Sequence, residues 1–252
     1  MTGPGASGEE QAQARFGTSD RATAFYEHHV LAFLNQPMRE FIARMEMMYI
    51  ATADAQGHCD CSFRAGAPGF VQVLDDKTLA YPEYRGNGVL ASVGNILDNP
   101  HIGMIFLDYY QTTVGLHVNG TARVTDPQDI TGLPNVTPGM TDAAHNKGGR
   151  QPKAWIVVGV EEAYIHCSKH VPLLARRDKQ IVWGTDDASS YGYPGGGDLD
   201  IRFERRRQKD SGNGQNRGGD LGQGRRDPAG DRCPRGGRLP RHPGRRADRG
   251  GA

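Results

Sequence analysis

Short runs of alternating apolar and polar residues occupy much of the chain between residues 47 and 167, and turn-forming residues separate them. MYIATA at 48–53 and two apolar runs meeting at Asp75-Asp76 read as strands, the latter pair as a hairpin. Further strand-like runs are HIGMIFLD, TTVGLHVNGTARVTD and KAWIVVGVEEAYIHC, the last with a bend predicted at Gly159. Strands that follow one another through tight turns such as DAQGH predict antiparallel pairing.

Helical periodicity appears in only a few places. Ser19 or Asp20 can cap a helix that runs to about Leu34, and Asn35 with Pro37 starts a second one. The apolar face of the second helix falls at Met38, Phe41, Ile42 and Met45. A third helix is predicted in VLASVGNIL, where the residues on helical spacing are Val89, Leu90, Val93, Ile96 and Leu97. Only this third helix lies between strands. The pattern therefore predicts a mainly β fold with flanking helices, a small antiparallel barrel, and not a doubly wound α/β fold.

Composition divides the chain into three parts. Residues 1–18 are predicted to be a flexible leader, 19–185 a folded domain, and 186–252 a Gly/Arg-rich disordered tail. Residues 201–252 carry fourteen Arg and one Lys against six Asp or Glu, a local charge of +9, so the first 200 residues sum to −8. With almost no apolar residues, the tail cannot offset its ordering cost of about 1–2 kcal/mol per residue. Residues 126–150, rich in Pro, Gly, Thr and Asn, are predicted to be a long loop.

The start of the chain, MTGPGASGEEQAQA, lacks a basic region followed by an apolar one, and no run reaches the ~20 apolar residues of a membrane span. These features predict a cytoplasmic protein with no membrane partner. Four cysteines at unhelpful spacings indicate reduced thiols rather than a disulfide framework.

The stretch YPEYRGNGVLASVGNILDNP, residues 81–100, carries the most distinctive chemistry. Gly86 and Gly88 free the backbone so that amides near Asn87 can converge, and the following helix presents its unpaired N–H groups to the same point. Arg85 and Arg64 can add positive charge. A helix N-terminus, a glycine-loosened turn and arginine together favour phosphate binding. The alternative is an ordinary strand-to-helix turn with a solvated arginine.

Three segments in order carry a family resemblance: IATADAQGHCDCSFRAGAPGFVQVLDD, TLAYPEYRGNGVLASVGNILDNPHIGMIFLD and LHVNGTARV. Together they resemble the pyridoxamine 5′-phosphate oxidase-like family of flavin-binding split barrels, over residues 38–125 and more weakly over 153–185. The resemblance is to bacterial relatives rather than to the vitamin B6 enzymes.

That resemblance implies a six-stranded antiparallel split β-barrel, a homodimer, and FMN at the subunit interface with its phosphate in the turn. The cofactor-binding positions it implies are Arg64, Tyr81, Pro82, Tyr84, Arg85, Asn87, Ser92 and Asn95. The turn departs from the Ser-Arg-Lys-Gly of the B6 enzymes, and Val114-Gly115 stands where they have Arg-Gln, which makes pyridoxamine phosphate an unfavourable substrate. The relatives' Arg-Gly-Gly loop is Arg64-Ala65-Gly66 here.

The predicted function is therefore an FMN-dependent oxidoreductase acting on a small molecule, with no catalytic acid or base assigned. A deazaflavin (F420) reductase on the same fold and a flavin-binding protein without turnover remain alternatives. A nucleic-acid binder using the RGG repeats is disfavoured, because the tail has no aromatic residue after Phe203.

Smaller patterns favour packing over chemistry. His166, Cys167 and His170 have no evident third ligand for zinc, so no metal site is predicted. Cys59 and Cys61 are expected to be small strand residues that point the same way. Trp183 could stack on a partner's flavin or serve as a packing anchor.

Overall fold

The computed structural model describes residues 7–145, 151–178 and 181–185, and these contain five α-helices and seven β-strands. The helices are α1 (Ser7–Phe16), α2 (Ser19–His29), α3 (Gln36–Arg44), α4 (Ala91–Asp98) and α5 (Pro138–His145). The strands are β1 (Met47–Ala53), β2 (Cys59–Ala65), β3 (Gln72–Val73), β4 (Thr78–Glu83), β5 (His101–Leu107), β6 (Gly115–Thr125) and β7 (Ala154–His166). All of them lie in a compact unit, Met1–Pro194. A second unit, Gly195–Ala252, lies outside the described residues, as do the predictions made for the tail.

The strands form one antiparallel sheet in the order β2-β1-β5-β6-β7-β4-β3. The prediction of a mainly β fold with flanking helices is confirmed. There are seven strands instead of six, because the predicted hairpin at Asp75-Asp76 pairs the two-residue strand β3 with β4. Within the described ranges, no ladder joins the edge strands β2 and β3.

Two clusters of buried side chains cover opposite faces of β4 and β7. The larger contains α3 and the inward residues of β1, β5 and β6, with Tyr81 and Ile156 among its fully buried members. The smaller packs around Trp155 and holds Ile130 and Met140. Because β4 and β7 are covered on both sides, β7 reads as a nearly unbroken apolar run rather than an alternating one.

Helix α3 forms as its sequence predicts. The Asn35 side-chain oxygen accepts a hydrogen bond from the Met38 amide at 3.0 Å, and Pro37 occupies the first turn, where its missing N–H costs nothing. Met38, Phe41 and Ile42 are buried against the sheet. The apolar spacing read from the sequence is therefore the face that the helix buries.

The N-terminal region differs from its prediction. Residues 1–18 were expected to be a flexible leader, yet α1 spans Ser7–Phe16, with Glu9 and Glu10 in its first turn and Arg15 in its last. Runs of Glu, Gln and Ala are good helix formers, and this charge order suits the helix dipole. Helix α2 ends at His29 instead of continuing to Leu34, since Leu31 exchanges backbone hydrogen bonds with Ala163 of β7.

The long loop predicted over 126–150 contains regular structure. A 3₁₀ turn at Asp129–Gly132 and helix α5 bring Ile130 and Met140 under Trp155. The Pro and Gly content concealed these elements, because only a few apolar residues anchor them. Residues 146–150 lie outside the described part.

The ladder between β6 and β7 is irregular at one point. Asn119 pairs with Glu162 and the next residue, Gly120, pairs with Val160, so Glu161 is skipped beside the predicted bend at Gly159. A Cβ atom on Gly120 would overlap the carbonyl oxygen of Gly159. Glycine at position 120 is therefore required by the close approach of the two backbones.

None of the described helices is long and apolar enough to cross a membrane.

Candidate functional site

The distinctive turn joins the end of β4 to α4, and α4 packs over β1 and β2. Strand β2 alternates, so that Asp60, Ser62 and Arg64 share the face toward α4, whereas Cys59, Cys61 and Phe63 are exposed on the other face. The two cysteines thus point the same way, as predicted, and are free thiols.

Arg64 is held in place by a carboxylate that the sequence analysis did not single out. Its Nε and one terminal nitrogen each lie 2.9 Å from Oε2 of Glu83, and its other donors reach the Phe63 carbonyl at 3.0 Å and Ser92 Oγ at 3.3 Å. The side chains of Arg64 and Glu83 are only 20 % and 10 % exposed. Burial raises the pKa of Glu83, and the opposing effect of Arg64 does not cancel it.

Ser92 links α4 to the same cluster. Its hydroxyl donates to Oδ2 of Asp60 at 3.0 Å and lies 3.2 Å from Ser62 Oγ, which itself donates to Asp60 at 2.7 Å. The residue is almost fully buried. Arg64 and Ser92, both predicted, are thus brought together, but each already has a carboxylate partner.

The turn itself has the open form that its glycines predict. Gly86 and Gly88 have φ of +49° and +80°, and the Gly88 amide donates to the Arg85 carbonyl at 2.9 Å. The side-chain oxygen of Asn87 accepts from the Val89 amide at 3.0 Å, so it shapes the turn. Leu90 precedes the helix in a left-handed conformation, φ +52°, and no side chain caps it.

Helix α4 begins with unpaired amides. Its first hydrogen bond into the preceding turn runs from Gly94 to the Leu90 carbonyl, and the N–H groups of residues 91–93 have no partner within the described part of the chain. These groups and the positive end of the helix dipole face the exposed turn. The helix starts two residues later than predicted, and Val89, Leu90 and Leu97 are exposed rather than on its core face.

The other predicted positions are dispersed. Asn95 donates to Thr52 Oγ1 at 3.0 Å and so ties α4 to β1. Pro82 pairs with Trp155. Tyr84 is half-buried against Gly184, where an added Cβ would lie 2.7 Å from the tyrosine ring, and burial raises the pKa of Tyr84.

Tyr81 lies in the main core and not beside the turn. Its hydroxyl is buried without a hydrogen-bond partner in the described residues, and burial, followed by the charge of Glu83, strongly raises its pKa. Because Tyr81 and Glu83 are two apart on one strand, they share a face. Glu83 contacts Arg64 from this face of β4.

The charges at the site nearly balance. Arg64 and Arg85 contribute two positive charges, and Asp60 and Glu83 two negative ones. Asp60 could have been found from its spacing, because residues 60, 62 and 64 alternate on one strand. Glu83 had a similar signal, since it continues the buried alternation of Leu79 and Tyr81.

The part of the chain that is described contains no group of three or more His, Cys, Asp or Glu side chains placed to hold a metal ion. The same region reveals a contact that the sequence analysis missed: Nε2 of His117 lies 2.9 Å from Nδ1 of His166. The ring of Tyr164 stacks on His117 at 4.7 Å.

Comparison with known proteins places this geometry in context. Residues 34–167, more than half of the chain, match the family model described as Pyridoxamine 5′-phosphate oxidase. No curated protein matches significantly.

Solved structures with a related fold include three proteins with different descriptions. A putative pyridoxamine 5′-phosphate oxidase of Lactobacillus delbrueckii is 20 % identical, with 53 % of this chain and 95 % of that one covered and a TM-score of 0.37. HutZ, a heme storage protein of Vibrio cholerae, is 13 % identical, with 53 % and 93 % covered and a TM-score of 0.36. A protein described as F420 reductase is 16 % identical, with 51 % and 94 % covered and a TM-score of 0.33.

Proposed function

Because the chain belongs to the pyridoxamine 5′-phosphate oxidase family, we propose that it is an FMN-dependent oxidoreductase acting on a small molecule. The observation that carries the proposal is the junction of β2, β4 and α4. There the unpaired amides of residues 91–93, the Arg64–Ser92 contact and the Gly86–Gly88 turn lie at one end of one helix.

The residues at this junction fit a phosphate monoester in part. Arg64 has five N–H donors, of which four are engaged, and the helix adds three amides. Glu83 and Asp60 oppose a dianion by charge. The raised pKa of Glu83 lessens that opposition, because an approaching phosphate raises this pKa further and favours the neutral acid.

When bound, FMN would supply hydride acceptance and donation, and the protein would supply binding and orientation. Arg85, Asn87 and the α4 amides would hold the phosphate end. Ser92 would keep Arg64 aimed, and Asn95 would fix the helix on β1. Tyr84 would border the ring-side wall, and no general acid or base is assigned.

We also propose a homodimer and closure of the sheet as a split barrel, both as the family implies. The exposed face of β2 supports the dimer. Phe63 is 53 % exposed, and its ring lies 5.5 Å from that of Tyr49. A Phe63→Glu variant should shift a dimer to monomer in sedimentation velocity, while Phe16→Glu, which alters another exposed phenylalanine, should not.

The test of the cofactor is reconstitution. The purified chain is titrated with FMN, with F420 and with haem, and each is followed by absorbance and by quenching of the bound ring's fluorescence where it fluoresces. Tight FMN binding, followed by bleaching with NADH or NADPH under anaerobic conditions, supports the proposal. Binding of F420 alone would favour the deazaflavin alternative, and binding of FMN without bleaching would favour a flavin carrier without turnover. If neither FMN nor F420 binds, all three interpretations of the site are overturned.

A triple variant checks the site. Arg64→Ala with Glu83→Gln removes the cation without stranding a buried carboxylate, and Asn87→Ala opens the turn. The triple variant should lose FMN while its circular dichroism is unchanged. Retained FMN in a folded triple variant would contradict the assignment of these residues.

A further inference from the structure

The N-terminal helices α1 and α2, together with the sheet, line a cavity that lies apart from the turn. Helices α1 and α2 precede the family-matched region, which begins at residue 34. They are tied to the sheet through Leu31, which pairs with Ala163, and through Phe25, whose ring meets that of Tyr164 edge-on at 5.7 Å. Any pocket walled by these helices is therefore an addition to the matched part of the chain.

The cavity has a volume of about 420 Å³, a size typical of small-molecule sites. The helices contribute Glu9, Phe25 and Tyr26, and the sheet contributes Asn119, Glu162 and Tyr164. Three aromatic rings and two carboxylates thus share one concave surface.

Both carboxylates keep an oxygen available. Glu9 Oε2 accepts from the Tyr26 hydroxyl at 2.7 Å, and Glu162 Oε2 accepts from Asn119 Nδ2 at 3.2 Å. The second oxygen of each has no partner in the described ranges. Neither acid is neutralised by an ion pair there.

The two acids act on the same two phenols. The hydrogen bond to Glu9 raises the pKa of Tyr26, and the charge of Glu162 adds to it. Burial raises the pKa of Tyr164, and Glu162 and Glu9 add to that shift as well. Glu9 and Glu162 therefore both lie within electrostatic reach of these two phenols, and both line the cavity.

The lining chemistry selects the ligand. Arg21 is the cation among the lining residues, so the charged groups there sum to −1. Aromatic faces attract organic cations, and carboxylates pair with them. An anion would face two like charges, and a neutral apolar molecule would offer no partner to either carboxylate.

We propose that this cavity is a binding site for a small organic cation, an ammonium group bearing an aromatic or apolar substituent. The ammonium lies between Glu9 and Glu162, and the substituent packs among Phe25, Tyr26 and Tyr164. The site does not depend on the proposed flavin function, since it shares no residue with the β4–α4 turn.

The probe is benzyltrimethylammonium chloride, titrated into the full chain by calorimetry, with benzyl alcohol as the neutral match and sodium benzoate as the anionic one. We expect saturable one-site binding of the ammonium alone. Glu162→Gln should weaken it about fivefold or more, because the bound cation loses a charged partner.

Glu161→Gln is the matched control, because Glu161 is the exposed neighbour that the β6–β7 ladder skips and it does not line the cavity. Phe25→Ala should also weaken binding. Thermal unfolding should confirm that Glu162→Gln and Phe25→Ala are folded. Equal binding of benzyl alcohol, an equal effect of Glu161→Gln, or no binding of the ammonium would each overturn the proposal.

Discussion

Arg64 and Glu83, nineteen positions apart in the sequence, form a largely buried ion pair in which two guanidinium nitrogens share one carboxylate oxygen at 2.9 Å. The pair joins the end of β2 to the end of β4, beside the first turn of α4. It therefore links the proposed phosphate site to the sheet. Changing either partner should affect cofactor binding and stability in different ways.

Glu83→Gln should strengthen FMN binding. The amide still accepts from Arg64, but the negative charge beside the phosphate is gone. A unit charge at this range in a partly buried site is worth a few kcal/mol at most, so we expect about a tenfold gain. Asp142→Asn, which removes an exposed charge from α5, should leave the dissociation constant unchanged. An unaltered value for Glu83→Gln would place the phosphate elsewhere.

Arg64→Ala should destabilise the fold by about 3–5 kcal/mol near neutral pH, because it strands a buried carboxylate. Adding Glu83→Gln should restore at least half of the loss in urea unfolding. The pH dependence has a definite sign. The folded pKa of Glu83 is raised above its ordinary 4.5, so its contribution is most favourable below that value and is lost as the pH rises through the folded pKa. A penalty in Arg64→Ala that does not shrink on acidification would contradict this account.

Asn95 and Thr52 should behave as one unit. Each single alanine variant breaks the 3.0 Å bond between α4 and β1 and should cost about 1 kcal/mol, whereas the double variant should cost less than the sum. Strict additivity in chemical denaturation would show that the bond adds nothing. Asp98→Ala, at the exposed end of α4, is the control.

Asp108 should stabilise the fold at neutral pH and lose this contribution in acid. Burial favours its neutral form, but hydrogen bonds from the Thr112 hydroxyl and from the amides of residues 110–112 outweigh this and hold its pKa below the usual 3.8. This stability is present above pH 3.8 and is lost as the pH falls through the folded pKa.

Asp108→Asn should therefore cost about 1–3 kcal/mol at neutral pH, and the cost should shrink in acid. The measurement is thermal unfolding at a series of pH values. A cost independent of pH would show that the carboxylate charge does not matter.

His117 should titrate below the usual 6.5. Burial lowers its pKa, and the charge of His166 lowers it further. Its contribution to stability is thus present above pH 6.5 and is lost as the pH falls through the folded pKa. Ring-proton NMR should show the pKa of His117 rising in His166→Ala, while His101→Ala, which changes an exposed histidine of β5, should leave it in place. The opposite shift would mean that His166 acts chiefly as a hydrogen-bond acceptor for His117.

The parts of the fold that depend on local pattern were predictable. Helix α3 follows from its Asn35 cap and its apolar spacing, and the β1–β2 hairpin follows from the turn residues between two runs. Helix α5 was not predictable in this way, because its placement depends on packing beneath Trp155, a contact between distant segments.

The cationic side of the candidate site was the easier one to predict. Arg64, Ser92 and the glycine turn follow from residue type and order. The alternation along β2 and β4 indicates which faces Asp60 and Glu83 occupy, but the pairing of Glu83 with Arg64 depends on the convergence of β2 and β4 at α4. Tyr81 lies next to the turn in sequence, but the alternation of the strand sends its ring into the core.

The close approach of Gly120 to Gly159 links the cavity beneath the N-terminal helices to the pairing of β6 with β7. Asn119 and Glu162, which line that cavity, are the last matched pair before the register jumps. Alanine at position 120 would force β6 and β7, the two longest strands, apart at this point. It would also displace Glu162, the acidic residue that the sheet contributes to the cavity. Glycine at position 120 thus maintains both the pairing of β6 with β7 and the position of the residues that line the cavity.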